Sequence, residues 1–156
     1  MRPQAQELKN TLRKFNLLGY ADESIKYEDN GKGGKILTRN EGNWKYEDEF
    51  YGGEPYSGNE TLWFDGKDVF RCVYWGKVAE GINFSDIYAF LRKALKEGPT
   101  GNCIHRGPEK FEENNLKYTN ECQGDIEEFI QTEGIFLNNE EVYKAYFIGG
   151  RVNVQK

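Results

Sequence analysis

The stretch E-T-L-W-F-D-G-K-D-V-F-R-C-V-Y-W-G, residues 60–76, decides the fold class. It reads as a β-hairpin, because aromatic and β-branched residues, which favour strands, flank Asp65-Gly66. That dipeptide suits a type I′ turn, whose two central residues both need positive φ. The stretch aligns without gaps on E-G-I-F-L-N-N-E-E-V-Y-K-A-Y-F-I-G, residues 133–149. Glu60, Val69 and Gly76 match Glu133, Val142 and Gly149. Asp65-Gly66 meets Asn138-Asn139, another pair that tolerates positive φ. Upstream, Y-E-D-E-F-Y-G (46–52) resembles Y-T-N-E-C-Q-G (118–124), one residue out of register. Two readings stay open. One is chance likeness between hairpins of similar composition. The other is a pair of related β-meanders flanking a central helix, with a cleft between them as a natural ligand site.

Further out, N-W-K-Y-E-D-E-F-Y (43–51) alternates, with Trp44, Tyr46, Asp48 and Phe50 on one face. G-G-E-P-Y-S-G follows as a turn-rich link, and E-D-N-G-K-G-G (28–34) reads as a mobile loop. Residues 85–97 carry an apolar stripe of Ile87, Phe90, Leu91, Ala94 and Leu95 at helical spacing. Ser85 is the expected N-cap, and Gly98-Pro99 the stop. Leu8, Leu12 and Phe15 mark a shorter helix over about 4–18. Later strands are expected near 116–122, 126–131, 133–137 and 141–148. The expected class is α+β: an antiparallel, meander-rich sheet with two related hairpin units, one central packed helix and a short N-terminal helix. The whole chain, 1–156, is expected to be a single domain. Its parts are an N-terminal helix in 1–20, a first β unit in 43–78, the central helix in 84–97, a His-Arg-Gly-Pro loop in 99–112 and a second β unit in 116–151.

With 156 residues the chain can bury roughly 70% of its unfolded surface, enough for a core without staples. Ten tyrosines, ten phenylalanines and three tryptophans are a surplus that must be packed or used. The net charge of −5 disfavours bulk nucleic acid as a partner but leaves room for a local basic pocket. Cys72, Cys103 and Cys122 are an odd set without C-x-x-C, which argues against a disulfide framework and for a reducing, cytoplasmic setting. No apolar run approaches the roughly 20 residues a membrane span needs, and the N-terminus has no apolar leader core.

The single histidine, His105, lies in T-G-N-C-I-H-R-G-P-E-K-F (100–111). No G-x-S-x-G elbow offers it a nucleophile, and Cys103 alone does not complete a zinc set. No catalytic residue, metal ligand or cofactor is therefore assigned. A solvated loop histidine is the bland reading. The sharper one is an anion grip: Arg106 offers a planar fork, Gly107 close backbone approach and Pro108 stiffness. G-K-G-G-K (31–35) lacks the context of a phosphate loop. Glu47 and Asp48 face opposite sides of a strand, so both cannot line one cleft. An acid on an aromatic face, such as Asp48, needs a polar partner. Tyr46, Tyr51, Tyr56, Tyr74 and Trp75 are either core or a stacking surface.

Several motifs together resemble a bacterial and phage family of unknown function, DUF5680, over about residues 44–151. They are Y-E-D-E-F-Y-G-G-E-P-Y-S-G-N-E (46–60), V-Y-W-G (73–76), F-S-D-I-Y-A-F-L-R-K-A-L, H-R-G-P (105–108) and Y-x-x-x-F-x-G-G (143–150). In that family's pattern an aromatic usually precedes Arg-Gly-Pro, so His105 in that place speaks against an essential histidine. The resemblance implies a fold and hardly any chemistry.

Three functions follow as expectations. The first is a non-catalytic binding protein for a small anionic, nucleotide-like molecule, by analogy with phage sponges that sequester nucleotide immune signals. Arg106 and His105 would meet the anion, Tyr51 and Trp75 would stack, and Tyr46 with Asp48 or Glu60 would fix polar edges. The second is a hydrolase acting on a phosphodiester or glycosidic bond, which requires Asp48 and Glu60 to converge. The third is a protein-interaction module, whose edge strand could also pair with its copy in a homo-oligomer.

Overall fold

The computed structural model describes residues 2–22 and 24–154. The elements run α1 (Ala5–Leu17), β1 (Glu28–Asp29), β2 (Lys35–Glu41), β3 (Trp44–Tyr51), β4 (Tyr56–Phe64), β5 (Lys67–Val78), α2 (Phe84–Glu97), β6 (Lys110–Glu113), β7 (Leu116–Asp125), β8 (Glu128–Leu137) and β9 (Glu140–Arg151). All nine strands belong to one antiparallel sheet, in the order β1-β2-β3-β4-β5-β9-β8-β7-β6. Thus β2–β5 form one meander, β6–β9 another, and β5 pairs with β9 where they meet. One helix precedes each meander.

The two halves share a register. Tyr46 pairs with Leu62 and Asp48 with Glu60, while Tyr118 pairs with Ile135 and Asn120 with Glu133. The one-residue offset seen upstream in the sequence is absorbed between β3 and β4 on one side and β7 and β8 on the other, whose connections differ in length. The identities that survive in both hairpins each have a physical reason. Glu60 and Glu133 are both buried on the inner face, and so are Val69 and Val142. At Gly76 a Cβ would lie 2.5 Å from the Tyr56 ring, and at Gly149 it would lie 2.5 Å from the Arg71 carbonyl oxygen. Asp65 and Gly66 have φ of 49° and 75°, and Asn138 and Asn139 have 50° and 67°, as the turn requires.

Both helices lie on one face. Phe15 of α1 stacks on Tyr46 of β3, and Tyr88 and Phe90 of α2 meet Tyr143 of β9 and Phe111 of β6. The opposite face leaves Val73, Trp75, Ile130, Tyr146 and Ile148 exposed. Three features differ from the sequence expectation. The cap of α2 is Asn83, whose Oδ1 accepts the Ser85 N–H, so Ser85 sits inside the first turn. Residues 28–34 are not only loop, because β1 pairs with the newly found β2, whose single buried residue, Leu37, leaves little pattern to read. The two strands expected at 126–131 and 133–137 are one, β8. Its inner face carries Gln131 and Glu133 while Ile130 faces out, which breaks the apolar alternation.

Substituting Gly149→Ala, which forces a methyl against rigid backbone, should destabilise the fold by about 1–3 kcal/mol. Urea unfolding reads this directly, and an unchanged midpoint would contradict the close approach of β5 and β9.

Candidate functional site

The segment between α2 and β6 carries Cys103 through Gly107 into the space between the helices and the sheet. Arg13 of α1 holds it by donating to the Ile104 and Cys103 carbonyls at 2.9 and 2.6 Å. Asn120 of β7 donates to the carbonyls of His105 and Gly107. Gly107 passes so close to Tyr118 that a Cβ would lie 2.7 Å from its ring. The backbone turns at Arg106 with φ 72°, so His105 and Arg106 reach different strands.

Each of these neighbours takes one of the two equivalent glutamates. His105 Nε2 lies 2.8 Å from Glu60 Oε2, and the other oxygen of Glu60 accepts from Tyr46 at 2.6 Å and Asn16 at 2.8 Å. Arg106 makes a two-pronged pair with Glu133, Nη2 at 2.7 Å and Nε at 3.1 Å. Tyr118 and Tyr143 donate to the same carboxylate at 2.6 and 2.9 Å. The guanidinium also lies 4.8 Å over the Phe147 ring. His105, expected to meet an anion or else to be a solvated loop residue, is fully buried on Glu60, and Arg106 is nearly buried on Glu133. Burial pushes Glu60 upward, but His105, Tyr46 and Arg106 more than offset it and hold the carboxyl below its ordinary range.

Glu60, Cys72 and His105 are close enough to suggest a metal, with donor atoms within 4.8 Å of one another. The surroundings are built for hydrogen bonding instead. Gln131 Oε1 accepts the Ile104 N–H at 3.1 Å, so its amide nitrogen faces His105 Nδ1 at 3.2 Å. Nδ1 is then the acceptor and Nε2 carries the proton given to Glu60. A metal on Nε2 needs the reverse arrangement. Burial also pushes the Cys72 thiol well up, against the thiolate a metal takes.

Beside this network lies a cavity of about 240 Å³. Tyr20, Tyr27, Tyr56, Tyr74 and Tyr88 line it with Phe50 and Phe147, and its polar groups come from Asp48, Glu60 and Arg106. The walls come from both halves: β3, β4 and β5 on one side, α2, the Arg106 segment and β9 on the other. Burial pushes the phenols of Tyr27, Tyr56, Tyr74 and Tyr88 up, so these walls stay uncharged. Asp48 accepts the Tyr74 hydroxyl at 2.5 Å and makes no ion pair among the described residues. Burial first, then Glu60 across the strand, raise its carboxyl to about 7.

The residues expected from sequence therefore divide. Asp48, Glu60 and Arg106 line the cavity, while His105 and Tyr46 stand behind Glu60 as its donors. Tyr51 and Trp75, expected to stack on a ligand, are elsewhere, because strand alternation sends them away from Phe50 and Tyr74. Tyr51 is partly exposed and meets Asn30, and Trp75 stacks on Tyr146 on the open face of the sheet. Sequence reasoning missed Tyr20, Tyr27, Tyr88, Phe147 and Glu133 as parts of the site. Only Glu133 left a signal, as the repeat partner of Glu60.

The family described as Domain of unknown function (DUF5680) matches residues 48–152. No curated protein and no solved structure matches the chain.

Arg106→Met should destabilise the fold by about 3–5 kcal/mol, because it leaves Glu133 buried without its cation. Adding Glu133→Gln should recover part of that loss in urea unfolding. The folded chain also keeps a proton on Asp48 that the unfolded chain sheds near its ordinary 3.8. Stability from this group is present below that pH and is lost as pH rises to about 7. Asp48→Asn should therefore stabilise the ligand-free protein by roughly 2–4 kcal/mol at pH values above 7 and by much less near pH 4. Parallel pH profiles of the two proteins would contradict the burial of this acid.

Proposed function

The chain belongs to the DUF5680 family, whose description assigns no activity, and from the cavity itself we propose that it is a non-catalytic, small-molecule-binding protein. The observation that carries this reading is the aromatic-walled cavity between the two halves, with a few polar groups converging on it. Its volume suits a ligand of modest size, and its walls are set by the core packing.

The ligand expected from sequence was anionic and nucleotide-like, gripped by Arg106. Both prongs of Arg106 that face Glu133 are engaged, so its charge is balanced within the chain. That weighs against an anion grip and against a nucleotide sponge.

A hydrolytic reading has one observation in its favour. Asp48 and Glu60 do converge on the cavity, one raised and one held down, as an acid and a base would be. Against it, both Glu60 oxygens already accept hydrogen bonds from protein groups. The interaction-module reading rests on the exposed apolar face around Val73, Ile148 and Ile130.

The test is native mass spectrometry of the purified protein before and after incubation with a small-molecule panel, the compounds then being recovered and weighed. Gly53 is an exposed lining residue with no atom within 4 Å of where its Cβ would stand, so Gly53→Trp should obstruct the cavity without a clash at Cβ. Binding of a compound that returns unchanged, reduced at least about ten-fold in that variant, is the expected result. A changed mass would make the protein an enzyme. Binding that survives Gly53→Trp would place the ligand elsewhere.

A further inference from the structure

We infer that the cavity takes an organic cation, a quaternary or protonated amine, enclosed by aromatic rings and held by the Asp48 carboxylate. This rests on the reading of the cavity as a ligand site and deepens it.

Three observations carry it. The first is charge. Asp48, Glu60 and Glu133 stand in or beside the cavity. Arg106 is taken by Glu133, and Glu60 is satisfied by His105, Tyr46 and Asn16. Arg92, the other nearby guanidinium, sits 5.4 Å from the Tyr20 ring and bonds its hydroxyl. Asp48 lines the cavity with no ion pair, and with tyrosine hydroxyls alone as its donors, among the described residues. A buried carboxylate in an apolar setting attracts a cation strongly.

The second is the shape of the walls. Tyr56 is inclined 60° to Tyr74 and 64° to Tyr88, and Tyr74 is inclined 35° to Phe147. Parallel rings would make a slot for a planar base. Rings at mixed angles leave no such slot, and aromatic rings attract a compact cation, as Phe147 already holds the Arg106 guanidinium 4.8 Å over its ring. The third is that the hydroxyls which would read a base edge are already committed: Tyr74 to Asp48, Tyr56 to Tyr143 and Tyr88 to Glu54.

The site would also respond to pH. Asp48 holds a proton up to about 7, with burial and Glu60 on β4 opposing its ionisation and Tyr74 on β5, Arg106 and Tyr27, just before β1, supporting it. A cation pairs with the ionised form, so its affinity rises with pH up to that point and is level above it.

The experiment compares benzyltrimethylammonium with its uncharged carbon isostere, neopentylbenzene, and with adenosine monophosphate, by calorimetry on the full chain, on Gly53→Trp and on Asp48→Asn. The cation should bind at least about ten-fold tighter than the isostere, lose that preference in Asp48→Asn, and weaken several-fold per pH unit below 7 only in the unsubstituted protein. Equal or tighter binding of the isostere or the nucleotide, blocked by Gly53→Trp, would overturn the cation and leave the ligand-site reading standing. No binding of any of the three, with no small molecule recovered from the wider panel, would overturn both. Because the cation-to-isostere ratio is read on the unsubstituted protein, a variant that fails to fold does not rescue the inference.

Discussion

Two glutamates are buried on the inner face of one sheet, and the rest of the structure answers to them. Removing a carboxylate from water costs several kcal/mol unless charge and hydrogen bonds replace the solvent. Here the replacement comes from two consecutive residues of a single segment, His105 for Glu60 and Arg106 for Glu133. That segment must enter the core, so its carbonyls need donors, which Arg13 and Asn120 supply. Its glycine must pass against Tyr118. Helix α1 contributes Asn16, which touches both Glu60 and the Arg106 backbone.

The cavity follows from this network. With Glu60 fully hydrogen-bonded and Arg106 paired to Glu133, the space between the meanders is left to tyrosine and phenylalanine rings and to one more acid. Asp48 and Asn120 occupy equivalent places in the two halves, opposite Glu60 and Glu133. Asn120 lies under the Arg106 segment and holds it, whereas Asp48 opens onto the cavity. The two halves thus share a scaffold and differ in what they do with it: one anchors the inserted segment, the other forms most of the ligand space.

The two faces of the sheet divide the aromatic surplus. Inward rings build the core and the cavity, while Trp75 and Tyr146 stack across the β5–β9 seam on the open face. The family match, residues 48–152, takes in the Glu60–His105 and Arg106–Glu133 pairs but not β2 or the supporting Asn16 and Tyr46.

Sequence periodicity by itself determined the α+β class, both helices and the hairpin turns, and it offered the likeness of residues 60–76 to 133–149, which the shared register of the two hairpins then made structural. These depend on local patterns: strand alternation, helical spacing, and turn residues that accept positive φ. It also marked Asp48 as an acid on an aromatic face, and that was legible because alternation places neighbours two apart on one side. Only the tertiary structure decided that His105 and Arg106 are buried, that their partners are Glu60 and Glu133, and that Tyr20, Tyr27, Tyr88 and Phe147 meet around Asp48. Those residues are far apart in the chain, and nothing local encodes which strands become neighbours. The same holds for charge. Arg106 looks like a free cation in the sequence, and it ceases to be one only because the fold brings Glu133 to it.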